Sequence, residues 1–100
     1  MSKIRIAIPT ASVADFCRRH HIRRLSLFGS VLRDDFQPES DVDVLVEFKP
    51  GRVPGFIRLA GMELELEGLL DGRKVDLRTP EDLSRYFRDE VMDTAMVLYE

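Results

Sequence analysis

The run Asp41-Val42-Asp43-Val44-Leu45-Val46-Glu47-Phe48 alternates polar and apolar residues at a period of two, which dictates a β-strand with chemically different faces. Val42, Val44, Val46 and Phe48 form the expected core face, and Asp41, Asp43, Leu45 and Glu47 the opposite one. Asp41 and Asp43 would then point to the same side, roughly 7 Å apart at about 3.3 Å per residue. Two carboxylates converging in this way can hold a pair of metal ions about 3.5–4 Å apart.

Twelve positions before Asp41, the short apolar strand expected at Leu25-Ser26-Leu27-Phe28 is broken by Gly29-Ser30, which opens a short helical turn carrying Arg33. A strand that runs into a helix start at small residues aims free backbone N–H groups at one spot, a setting that favours an anion such as a nucleotide triphosphate. Ser30 could instead cap the turn. Arg33 could pair with Asp34 or Glu39 rather than with a phosphate, and Ser40 fits a cap at the turn into the strand better than a direct role in the site. A third acid stands in Lys74-Val75-Asp76-Leu77-Arg78, where Val75 and Leu77 give a core face and Asp76 points away from it. If this strand lies beside the first, three carboxylates meet next to the Gly-Ser turn. That is enough to bind magnesium and leave an acid near an incoming hydroxyl, a geometry suited to nucleotidyl transfer.

The pattern Gly29-Ser30-x-x-Arg33, Ser40-Asp41-x-Asp43 and Asp76 in a Val-Asp-Leu strand resembles the nucleotidyltransferase superfamily related to DNA polymerase beta. It is most similar to the minimal nucleotidyltransferases, the antitoxin half of HEPN/MNT toxin–antitoxin pairs, from about Leu25 to the C-terminus. The resemblance implies the polymerase beta-like fold, a small mixed β-sheet flanked by helices. It implies that Asp41, Asp43 and Asp76 bind metal and act in catalysis, and that Gly29 and Ser30, with Arg33 and Ser40 nearby, hold the nucleotide. It further implies ATP as donor with magnesium, as a pair of ions, and transfer of AMP to a tyrosine of a HEPN ribonuclease toxin within a hetero-oligomer. Two other readings stay open: an antitoxin that acts by binding alone, and a stand-alone nucleotidyltransferase for a small hydroxylated molecule.

The remaining sequence sets the frame. One hundred residues with 44% hydrophobic content are expected to form one domain over 1–100 with a small core. A net charge of −3 argues against a general nucleic-acid binder. The basic run Arg18-Arg19-His20-His21-Ile22-Arg23-Arg24 reads better as the wet side of a helix end and strand start than as a docking surface, and its histidines lack partners at zinc spacing. Cys17, the sole cysteine, permits no internal disulfide and fits a reducing compartment. With no apolar run of membrane-spanning length and no signal-type N-terminus, the expected location is cytoplasmic.

Along the chain, Thr10 or Ser12 is expected to cap a helix reaching about His20, with Val13, Phe16 and Cys17 as its buried stripe. Phe56 to Leu70 reads as the longest helix, apolar on more than one face, which suits self-association or partner contact. Thr79-Pro80-Glu81-Asp82 is a helix start. Leu83, Phe87, Val91 and Ala95 recur at i+4 spacing, with Asp89-Glu90 as a point where that helix could break. The whole layout predicts about four helices.

Overall fold

The computed structural model describes residues 8–33 and 39–100. Helix α1 (Thr10–Arg19) leads to strand β1 (Ile22–Phe28), a 3-10 turn (Gly29–Leu32), strand β2 (Val42–Phe48), helix α2 (Phe56–Leu69) and strand β3 (Val75–Arg78). A second 3-10 turn (Pro80–Asp82), helix α3 (Arg88–Thr94) and strand β4 (Met96–Tyr99) follow. The strands form one mixed sheet in the order β3-β2-β1-β4. β1 runs antiparallel to both β2 and β4, and β2 runs parallel to β3. No described helix is long and apolar enough to cross a membrane.

The core follows the alternation. Val42, Val44 and Val46 of β2 are buried together with Leu25 and Leu27 of β1, Val13, Phe16 and Cys17 of α1, and Met62 and Leu66 of α2. Both helices therefore cover the same face of the sheet, each through an i, i+3, i+4 type stripe. β1 begins three residues earlier than the sequence suggests, because its register shifts between Ile22 and Arg24. This bulge lets Ile22 face the core although it stands at odd spacing from Leu25.

The opposite face of β2 is less polar than alternation implies, since Leu45 is 1% and Glu47 9% exposed. The Pro80–Asp82 turn lies against β2 there, with Leu83 buried beside it. Glu47 meets two arginines in this buried position: Arg23 Nη2 donates to Oε1 at 2.9 Å, and Arg24 Nε lies 3.3 Å from Oε2. Two further members of the basic run make ion pairs within the fold: Arg19 pairs with Asp15 and Glu65, and His20 Nε2 lies 3.0 Å from Glu65 Oε1. Within the run Arg18, Arg19 and Arg23 are exposed, His20, His21 and Arg24 half-buried and Ile22 buried.

Several local expectations are corrected. Pro9 occupies the cap position of α1, and neither Thr10 nor Ser12 caps it. Phe28 occupies that position at the Gly29 turn, so Ser30 is not a cap. The C-terminal helix is broken, though at residues 83–87 rather than at Asp89-Glu90. Those two acids form the first turn of α3, where carboxylates complement the helix dipole. Ala95 is extended and starts the chain into β4, an unanticipated fourth strand. The described residues thus hold three α-helices and two 3-10 turns instead of about four helices.

Candidate functional site

The parallel pairing of β2 with β3 places Asp43 directly opposite Asp76, and Val42 opposite Val75. With Val42 and Val75 both in the core, their carboxylate neighbours project together from the other face. Asp41 is exposed just ahead of β2, and Ser40 sits in the bend before it. On the other flank β1 pairs Phe28 with Asp43, so the Gly29 turn begins beside that carboxylate. Gly29 has φ +76°, and a Cβ at this position would overlap Asp43 Oδ2 and lie 3.3 Å from Cγ. Glycine is required here twice, by the left-handed backbone and by the closeness of Asp43. Ser30 follows in the turn, and Arg33 closes it by donating its backbone N–H to the Ser30 carbonyl at 2.9 Å. The pairing of Arg33 with Asp34 involves a residue outside those described.

The electrostatics fit a cation. Burial, then the like charges of Asp76 and Asp41, hold the Asp43 carboxyl above its ordinary range, and Arg78 and Arg33 offset this only in part. A carboxylate so placed gains from any added positive charge, and a set of oxygen donors without thiolate or imidazole suits magnesium. As the side chains stand, no three metal-ligating groups among the described residues are gathered to hold an ion. Both Asp76 oxygens accept from Arg78, Oδ1 from Nε at 3.0 Å and Oδ2 from Nη2 at 3.2 Å. Arg78 was not singled out from the sequence, although its place two residues after Asp76 on a strand puts it on the same face.

A recess of about 230 Å³ contains Asp43, Asp76 and Arg78 between Phe28, Leu83 and Phe87. Phe28 and Phe87 also border a wider cavity of about 910 Å³, lined by Gly29, Leu32, Arg33, Val91 and Met96 among others. The recess with the acids and the wider cavity thus flank the same two phenylalanines, Phe28 and Phe87. The contributions of Phe87, Val91 and Met96 depend on α3 and β4, whose boundaries were not legible, and so this wall was missed.

Residues 11–98 match the model of the nucleotidyltransferase domain. The protein adenylyltransferase MntA of Thermococcus cleftensis is 37% identical over 71 residues, which are 71% of this chain and 69% of that protein. A solved minimal nucleotidyltransferase superposes with a TM-score of 0.71 at 37% identity, covering 87% of this chain and 86% of the other. A toxin–antitoxin crystal structure with AMP-PNP contains a chain of the same fold, with a TM-score of 0.72 at 20% identity over 92% of this chain and 73% of that one. The chain therefore belongs to the nucleotidyltransferase domain family, as an enzyme of its minimal branch.

Proposed function

We propose that the protein is an antitoxin that transfers an adenylyl group from ATP to a tyrosine hydroxyl of a HEPN-type toxin. The observation that carries this reading is the in-register pairing of Asp43 with Asp76 beside the Gly29 turn. The adenylyltransferase name of a 37%-identical relative supports a protein acceptor, and the AMP-PNP held by a toxin–antitoxin complex of the same fold supports the donor. Asp41, Asp43 and Asp76 would hold magnesium, one ion or two, which supplies neutralisation of the triphosphate charge.

The chain's own residues would do the rest. Gly29 and Ser30 would present the turn to the phosphates, with Arg33 at its end and Ser40 supporting the approach to Asp41. The tyrosine oxygen attacks the α-phosphorus as the bond to the bridging β-phosphate oxygen breaks. Pyrophosphate leaves, and Asp76 takes the phenolic proton. The cavity beside Phe28 and Arg33 gives room for the nucleoside, and the acceptor would come from the partner within a hetero-oligomer.

The test is an intact-mass spectrum of a co-purified toxin before and after incubation with ATP and Mg²⁺. One or more added adenylyl units are expected with the native protein and none with the Asp41→Asn/Asp43→Asn double variant. A toxin that is bound and silenced without any mass change would replace transfer with neutralisation by contact. Turnover on a small hydroxylated molecule without the partner would move the activity to a stand-alone enzyme.

A further inference from the structure

Arg78 and Asp76 leave the same face of β3, two residues apart. The guanidinium meets the carboxylate as a fork, Nε to Oδ1 at 3.0 Å and Nη2 to Oδ2 at 3.2 Å, so both acid oxygens are engaged at once. The pair is not locked in place: the two side chains are 46% and 37% exposed, and exposed ion pairs are weak enough to exchange partners. Arg78 also lines the same recess as Asp43 and Asp76.

We propose that Arg78 is a positioning residue that clasps Asp76 in the free protein and competes with the divalent cation for it. This rests on the reading of Asp76 as a cation ligand. With the guanidinium's positive charge already on Asp76, a cation gains less there unless the fork opens, so the bare site binds the ion weakly. The displaced guanidinium remains beside the site, where the negative charge of an arriving nucleotide gives it a new partner. Cation and nucleotide thus enter together more readily than the cation alone.

The experiment is a titration of the full chain with Mn²⁺ in the absence of nucleotide, free Mn²⁺ being counted by its electron paramagnetic resonance signal. Arg78→Gln is expected to bind Mn²⁺ several-fold more tightly than the native protein. Arg78→Lys, which keeps the charge and loses the fork, should fall between them. With a non-hydrolysable ATP analogue present, the order should reverse, Arg78→Gln binding the Mn²⁺–nucleotide more weakly than native. Unchanged or weaker Mn²⁺ binding by Arg78→Gln overturns the proposal, as does an Arg78→Lys variant indistinguishable from native, which would reduce the effect to net charge. Asp76→Asn separates the two levels: if it lowers Mn²⁺ affinity while Arg78→Gln changes nothing, only the clasp is wrong. If it leaves Mn²⁺ binding intact, Asp76 is no ligand and the site assignment fails as well.

Discussion

Gly29 is the residue at which backbone conformation and chemistry meet most tightly. Alanine there would push Asp43 aside as well as strain a backbone at φ +76°. We expect Gly29→Ala to lower transfer by on the order of 10²-fold, the scale of an ångström-level misplacement, and single-turnover kinetics with the toxin would measure it. Cys17 is the opposite case, a reactive residue type made inert. It is fully buried, and burial pushes its thiol up to about 12. A pKa raised in this way stabilises the fold below the unfolded thiol's range near about 8.5, and that contribution is lost as pH rises through the interval toward 12. Native protein should therefore resist a thiol reagent at pH 8 and react fully once urea unfolds it; rapid native labelling would contradict the burial. Glu65 runs the other way. The Arg19 hydrogen bond, then His20, holds its carboxyl below the ordinary range, so its contribution is present above about pH 4.3 and fades as pH falls. Since the group is one-third exposed, the effect is small. The urea midpoint should drop less between pH 6 and pH 3.5 in Glu65→Gln than in the native protein.

Among the elements, β3 depends on α2 in a way that its four residues do not advertise. It is an edge strand, and its outward N–H groups at Val75 and Leu77 donate to carboxylates of α2, Glu67 Oε2 at 3.1 Å and Glu63 Oε2 at 2.8 Å. The helix thus blunts the edge and fixes the strand that bears Asp76. Replacing both acids with alanine is expected to cost about 1–3 kcal/mol per N–H left without a partner, read from urea unfolding, and to lower transfer. Glutamine at both positions, which keeps an acceptor oxygen, should restore most of each. The strands that carry acids were legible because alternation and acid placement coincide in Asp41–Phe48 and Val75–Arg78. β4 was not, because an i+4 apolar spacing from Leu83 to Ala95 imitates a helix and no Gly or Pro separates α3 from Met96. The second face of β2 was misjudged for a related reason. Local alternation marks Leu45 and Glu47 as outward, and only the later return of the Pro80–Asp82 turn covers them.

For the whole molecule, the core lies on one face of the sheet and the candidate site on the other. The outer side of α2 leaves Phe56, Ile57 and Leu64 at 90%, 93% and 68% exposure. An Ile57→Ser/Leu64→Ser variant should unfold within about 0.5 kcal/mol of the native chain, checked by urea titration; a much larger loss would mean that this face is packed. The division between faces also gives the β2–β3 register a consequence for folding fidelity. Sliding β3 by one residue would drive Asp76 into the apolar layer and turn Val75 and Leu77 out to water. A chain that pairs these strands wrongly therefore sacrifices its core in the same act by which it scatters its acids. Molecules that are well folded yet catalytically misassembled have no stable arrangement to occupy, so stability itself acts as the proofreader of the site.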